Sequence, residues 1–281
     1  WWDFLRANPR QLVKIVVYSL LLVNFVHYIG NDIEIARHTW HEGWGFKDWS
    51  TAFATTLDES AWFVLLMLLE LETYLLSDEA FTRSRVLIMQ GMRLVCYLAI
   101  GHTVFAFTEY LVDLSRAVEH VGVPLCGFAE DGLSFTRNLQ YWELDGTNYS
   151  FLSGDSVFYQ FAQGQVLSDT AGMRVEWELA WVDLMEVVVW LLIMVLIETI
   201  LRLQEHGVSD SPLLRFARYT KVALYTFLWG AAAYWGYRGH WLFSWDEALW
   251  ILGFVAIGMN LSEWRREIED AGAATPASGK P

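Results

Sequence analysis

Six apolar runs of about 20 residues constrain this chain more than any other feature of its sequence. A run of this length crosses the hydrocarbon core of a bilayer as a helix, because a helix bonds all its backbone groups internally. With 54% hydrophobic residues among 281, the chain is too apolar for an ordinary soluble domain. It is predicted to be an all-α polytopic membrane protein. The predicted spans are Gln11–Tyr28, Asp58–Leu76, Arg85–Leu111, Trp181–Leu201, Arg215–Tyr237 and Asp246–Glu263.

Basic residues are concentrated at one end of these spans, and basic flanks remain on the cytoplasmic side. We therefore expect both termini in the cytoplasm and a location in the bacterial inner membrane. No cleavable signal pattern follows Trp1, so the first apolar run should be a retained span. The residues that set this orientation are Arg6, Arg10, Lys14, Arg83, Arg85, Arg202, Arg215, Arg218, Arg265 and Arg266.

The formal net charge of -14 argues against a broad basic face, so nucleic acid is not an expected partner. The expected partners are the lipid bilayer and a membrane protein or a second copy of this chain.

The segments between the spans differ in character. The spaced Trp40, Trp44, Phe46 and Trp49, between residues 31 and 57, indicate a helix or re-entrant piece in the outer interface. The acidic segment 112–180 alternates aromatic and branched residues with Gln163-Gly164 and Ala171-Gly172 turn signals, which predicts a small β-rich extracytoplasmic insertion. The predicted divisions are helices one to three, this insertion, helices four to six and a flexible cytoplasmic tail, at residues 1–111, 112–180, 181–264 and 265–281.

Short motifs recur along the chain. Glu72-Thr73 near the inner end of helix two matches Glu198-Thr199 near the inner end of helix four. The even helices also share an opening, in which an acid precedes Trp62, Trp190 or Trp250 by four residues. These matches predict three helical hairpins in a pseudo-threefold direct repeat, which is one known plan for transporters.

Charged residues within the apolar spans are the strongest functional signal. Such residues cost several kcal/mol unless they are paired, protonated or hydrated. We expect Arg93 to pair with Glu72 or Glu70, and Lys221 with Glu198. Side chains at positions i and i+2 of a helix point about 200° apart, so Glu70 and Glu72 cannot both face Arg93. One of them needs another partner, a proton or water.

A second acidic group lies at the outer ends of the even helices. It consists of Asp58, Glu59, Asp183, Glu186, Asp246 and Glu247. These acids favour the positive ends of the helix dipoles, and the same acids would attract a cation to an outer mouth. Both interpretations fit the sequence.

Histidines suggest a third kind of site. His27 and His102 lie toward the outer halves of helices one and three, where they would hold a metal or a haem, or bond neighbouring helices. His38 and His41 bind a metal only with a distant third ligand. The sequence requires no cofactor, and it favours a non-enzymatic role without deciding the question.

Three functions remain open from the sequence. The first is a transport or channel protein for a cation or proton that uses the Glu/Arg/Lys network. The second is a non-catalytic subunit or scaffold of a larger membrane complex. The third is a His-dependent metal or haem membrane enzyme.

Overall fold

A computed structural model describes residues 9–71, 82–205 and 211–254. This part of the chain is mostly helical, with a small mixed sheet. Within it, three helices are long and apolar enough to cross a membrane, or four if a bent pair counts as one span.

A helix overlaps each predicted span with different ends. The helices are α1 (Pro9–Thr39), α2 (Phe46–Ala52), α3 (Ala54–Glu70), α4 (Arg83–Ser115), α5 (Tyr149–Leu152), α6 (Thr170–Glu205), α7 (Pro212–Tyr237) and α8 (residues 241–254). Of these, α2 and α5 lie outside the predicted spans. The three apolar helices are α1, α4 and α6, and the bent pair is α2 with α3.

Local capping explains where two of these helices begin. Ser211 Oγ accepts a hydrogen bond from the amide of Leu214 at 3.1 Å, and Pro212 fills the first helical position of α7, where no amide is needed. At the start of α2, the Asp48 carboxylate accepts from the amide of Gly45 at 2.9 Å.

The sheet contains β1 (Val118–Val121), β2 (Ser134–Arg137), β3 (Gln140–Glu143), β4 (Val157–Phe161) and β5 (Val166–Asp169). Their order is β1-β4-β5-β2-β3, with β2 and β5 parallel and the other pairs antiparallel. All five strands fall between residues 112 and 180, so the predicted β-rich character of this segment is confirmed.

The chain forms two structural units. The first is Trp1–Asn24 with Thr220–Pro281, and in it Asn24 Nδ2 donates to Asp246 Oδ1 at 2.8 Å. The second is Phe25–Tyr219, which contains the sheet. Within the second unit, α4 packs against both α3 and α6.

Two buried apolar clusters hold the sheet in the second unit. One lies inside the predicted outer subdomain, residues 112–180, and includes Phe135, Phe158 and Leu167. The other joins the sheet to α4 and α6 through side chains such as Leu114 and Phe161. The sheet therefore rests on the ends of two membrane helices.

Two helices extend beyond the predicted spans. Helix α1 continues past Tyr28 to Thr39, and α6 begins at Thr170, inside the predicted insertion, rather than at Trp181. A prediction from hydropathy ends a span where polar residues begin. The additional turns of α1 and α6 contain acids, Asp32 and Glu176, that form hydrogen bonds within the protein, so the helices include them. The sixth predicted span is described only to residue 254, and the predicted tail lies outside the described residues.

One of the two turns predicted in segment 112–180 was wrong. Gln163-Gly164 does form the β4–β5 turn, but Ala171-Gly172 lies in the first turn of α6. Gly172 is needed there for close packing, because a Cβ atom at this position would lie 2.3 Å from Ser168 Oγ. The buried Ser168 hydroxyl donates to the carbonyl of Thr136 at 2.8 Å, so it cannot move aside without losing that bond.

We predict that Gly172→Ala lowers the free energy of unfolding by about 1–3 kcal/mol, because the new methyl group displaces the Ser168 hydroxyl. Chemical denaturation of the purified protein in detergent measures the change. Gly172→Ala combined with Ser168→Ala removes the clash, so the double variant should be less destabilised than the sum of the two single variants. Simple additivity would show that this contact does not determine the effect.

Candidate functional site

The bent pair of helices α2 and α3 is a broken apolar helix. Helices α2 and α3 meet at Phe53 and are bent by 69°. At the break, the buried Asp32 of α1 accepts hydrogen bonds from the amide of Thr56 at 2.8 Å and from its hydroxyl at 2.7 Å. A carboxylate at this place satisfies an unpaired amide of the first turn and favours the positive end of the α3 dipole.

Asp58 lies just inside α3 after this break. Its Oδ2 accepts a hydrogen bond from Trp62 Nε1 at 3.1 Å. Its Oδ1 is also buried and has no hydrogen-bond partner among the residues that the structure describes. The Thr103 hydroxyl of α4 lies beside this carboxylate, whose hydrogen-bonding capacity is therefore only partly used.

A ring contact places a second acid near this level. Trp62 packs edge-on against Trp190 of α6, with ring centroids 5.8 Å apart. Glu186 precedes Trp190 by four residues, as Asp58 precedes Trp62, so each acid lies about 6 Å along its helix from the contact. Both helices run antiparallel to α4, so the two acids lie on the same side of the tryptophan pair.

Two other acids have a different environment. Glu176 of α6 is fully buried, and its carboxylate accepts from the amide of Leu139 at 3.0 Å and from the Tyr110 hydroxyl at 3.2 Å. Asp113 of α4 accepts from the amide of Ala162 at 2.7 Å. Each of these acids thus holds the tip of a β-hairpin against a membrane helix.

The two hairpin tips share an unusual backbone. Asn138 and Leu139 in one tip, and Ala162 and Gln163 in the other, all have φ between 52° and 59°. Residues other than glycine, asparagine and aspartate rarely adopt this left-handed backbone conformation, which costs about 1–2 kcal/mol per residue. The carboxylate bonds from Glu176 and Asp113 compensate this strain.

Tyr141, on the strand next to the first tip, contributes to the same environment. Burial and the nearby charge of Glu176 raise the pKa of Tyr141 above its ordinary value. Its ring also stacks on His38, with centroids 5.5 Å apart.

The predicted inner network is only partly described. Glu70 ends α3 and is half-buried, Arg93 on α4 is half-buried, and Glu198 on α6 is exposed. Thr103 lies beside Asp58, so the antiparallel register of α3 and α4 brings Glu70 within about one helical turn of the level of Arg93. The Arg93–Glu70 pair stays a prediction.

The other inner pairs also stay predictions. Lys221 belongs to the first structural unit and Glu198 to the second. Glu72 lies outside the described residues.

The predicted outer acids fall into both units. Glu59 is buried, and Asp58, Asp183 and Glu186 are half-buried, all in the second unit. Asp246, which is buried, and Glu247, which is half-buried, belong to the first unit. Asp32, Asp113 and Glu176 were not among the predicted site residues, because hydropathy gives no sign of a carboxylate that bonds a backbone amide far away in sequence.

The predicted histidines have individual contacts. His27 is exposed on α1, and His102 Nε2 lies 3.1 Å from the carbonyl of Ser50. His38 Nδ1 lies 2.8 Å from Ser134 Oγ, and His41 Nδ1 lies 3.1 Å from the carbonyl of Glu42. Within the described ranges, no three His, Cys, Asp or Glu side chains are grouped to hold a metal ion.

Comparison with protein-family models, with curated proteins and with solved structures finds no match to this chain.

We predict that Glu176→Gln loosens the β2–β3 hairpin, because an amide offers one acceptor oxygen where the carboxylate offers two. The free energy of opening this hairpin should fall by about 1–3 kcal/mol. Amide exchange in the peptide that covers 134–143 should then be about five- to a hundredfold faster. Hydrogen–deuterium exchange with mass spectrometry measures it. Glu178→Gln, two residues further along α6, is the matched control and should leave that peptide unchanged; equal exchange in both variants would contradict the anchoring role.

Proposed function

We propose that this protein is a membrane transport or channel protein for a cation or proton. The observation that carries the proposal is Asp58, whose buried Oδ1 has no hydrogen-bond partner among the described residues. A carboxylate in an apolar bundle is costly unless it binds a cation, carries a proton or meets water. Unlike Glu176 and Asp113, Asp58 receives no backbone amide from the sheet in the hydrogen bonds described.

The broken helix supports the same proposal. Helix breaks at membrane depth are tolerated where they line a cavity or a polar site, and they expose backbone groups that coordinate ions. Here the break at Phe53 lies close in sequence to Asp58, and the buried Asp32 caps its inner side. Two carboxylates are thus concentrated around one discontinuity in the second unit.

The outer acids would attract the ion before it reaches Asp58. Glu59, Asp183 and Glu186 give this end of the second unit a negative potential, which raises the local concentration of cations. Asp246 and Glu247 supply the equivalent charges of the first unit.

The inner residues complete the proposed path. In this mechanism Glu70, Glu72, Arg93, Glu198 and Lys221 form ion pairs on the cytoplasmic side. An arriving cation or proton competes with Arg93 for Glu70, and the pair rearranges to release the ion inward. The step is an exchange of charge partners and involves no covalent chemistry.

The proposed architecture has six spans in three hairpins with a pseudo-threefold direct repeat. Three acids, Asp58, Glu186 and Asp246, each precede a tryptophan by four residues, and the Asp58–Trp62 hydrogen bond gives that spacing a physical role. We place the protein in a bacterial inner membrane with both termini in the cytoplasm and the sheet outside, from the distribution of Lys and Arg.

We predict that Asp58→Asn lowers flux in proteoliposomes about tenfold or more, because an amide neither carries a net charge nor exchanges a proton. Glu70→Gln should lower it as well. Proton flux is followed with an entrapped pH dye, and sodium and potassium flux with ion-selective dyes. Asp131→Asn, which changes an exposed acid of the outer subdomain, is the matched control and should leave flux unchanged.

The transport proposal would be overturned if flux is unchanged in both Asp58→Asn and Glu70→Gln while both variants elute from a size-exclusion column as the wild type does. That result would favour the second function, a subunit of a membrane complex. The exposed apolar residues Phe151 and Val121 of the outer subdomain are compatible with a partner surface. A stoichiometric partner that copurifies in mild detergent would then identify that role.

The proposed orientation gives a separate prediction. Cys126 is exposed in the outer subdomain, whereas Cys96 is buried in α4, and neither forms a disulfide. A membrane-impermeant maleimide should therefore label intact spheroplasts through Cys126, and Cys126→Ser should abolish the labelling. Labelling that requires prior permeabilisation of the membrane would place the sheet in the cytoplasm instead.

A further inference from the structure

A polar cavity of about 710 Å³ lies between the outer end of α1 and the sheet, within the second unit. Its size is within the range of about 300–1,000 Å³ that is typical of small-molecule sites. The residues after Thr39 form one wall, and the β4–β5 turn forms another. None of the groups that we assign to ion transport lines this cavity.

The floor of the cavity is fixed by buried contacts. Leu133, Ser134 and Leu144 are buried there, and Ser134 Oγ lies 2.8 Å from His38 Nδ1. His38 is held in turn by stacking on Tyr141. A ligand in the cavity would therefore meet a preformed surface.

The walls carry donors and acceptors of both signs. Arg37, whose guanidinium also pairs with Glu34 at 3.4 Å, supplies a cation, Glu42 and Glu143 supply anions, and Gln163 and Gln165 supply neutral amides. Both signs of charge are present, so a multiply charged ligand would meet repulsion or unpaired charge on one side. Such walls suit a neutral ligand with many hydroxyl groups, because each hydroxyl both donates and accepts.

An exposed tryptophan completes the cavity. Trp40 lines it, and 56% of its surface is exposed to solvent. The face of an indole ring is electron-rich and apolar, so it packs well against the slightly positive C–H groups on the flat face of a sugar ring.

The backbone of the β4–β5 turn gives an independent observation. Gln163 is exposed on this turn at φ 52°, a conformation that favours glycine or asparagine. The hydrogen bond that the amide of Ala162 donates to Asp113 holds this turn in its left-handed conformation, which fixes where Gln163 lies at the cavity wall. The neighbouring Ala162 has the same φ but does not line the cavity.

We propose that this cavity binds a neutral carbohydrate, with Trp40 stacking on a sugar ring while Gln163, Gln165 and the acids bond its hydroxyls. The sugar would be either a free oligosaccharide on the outer side or the headgroup of a glycolipid in the outer leaflet. Both present the same hydroxyl-rich chemistry to the cavity.

The test uses the full chain, purified in an amine-oxide detergent that carries no sugar. In one arm it is applied to an array of neutral and sialylated di- to tetrasaccharides. In the other it is placed in phosphatidylcholine nanodiscs with and without digalactosyldiacylglycerol or phosphatidylglycerol. Binding on the array identifies a free sugar as the source, and binding only to the galactolipid identifies a headgroup.

Three variants make the result specific. Trp40→Ala and Gln163→Gly should each weaken binding about three- to tenfold, the loss expected for one stacking or hydrogen-bonding contact. Ala162→Gly, the matched control, should leave binding unchanged. Both glycine variants should keep or raise the midpoint of thermal unfolding, because glycine relieves the left-handed backbone.

The proposal stands if a neutral glycan or the galactolipid binds with that pattern of variants. It is overturned if neither binds, if only sialylated glycans or phosphatidylglycerol bind, or if Trp40→Ala and Gln163→Gly bind as well as Ala162→Gly. The ion-flux measurements do not enter this test, so either proposal can fail without the other.

Discussion

The structure depends on how hydrogen-bond donors reach carboxylates that are buried in apolar helices. A buried carboxylate without donors costs several kcal/mol, and apolar side chains cannot supply them. In the second unit, the hairpin tips of the sheet supply backbone amides to Glu176 and Asp113, and the first turn of α3 supplies the Thr56 amide to Asp32. The position of the sheet and the break at Phe53 are both tied to these bonds.

The same bonds separate structural acids from the proposed functional one. Glu176 and Asp113 each accept a hydrogen bond from a strained hairpin tip, so each stabilises the sheet and is in turn fixed by it. Asp58 receives an indole bond on Oδ2 and lies beside the Thr103 hydroxyl, while its Oδ1 has no hydrogen-bond partner among the described residues. That difference in environment, rather than the number of acids in the sequence, is the reason we assign the ion to Asp58. Asp58, rather than Glu70, is therefore the central residue of the transport proposal.

The apolar runs predicted the three helices that are long and apolar enough to cross a membrane, since hydropathy and helix length follow from the same bilayer thickness. The β-rich segment was predictable too, because alternation and the Gln163-Gly164 turn are local signals. The long-range bonds were not: Leu139 and Glu176 are distant in sequence, and nothing around either residue indicates the other. Gly172 was misinterpreted for a similar reason, because its role is contact with Ser168 rather than a turn.

The most direct test of the central claim is an infrared difference spectrum of the reconstituted protein, recorded on a change of pH or of cation concentration. If Asp58 exchanges a proton or binds a cation reversibly, the carboxyl region should contain a difference band that is lost in Asp58→Asn and retained in Asp131→Asn. A carboxyl spectrum that is the same in Asp58→Asn as in the wild type would contradict the account.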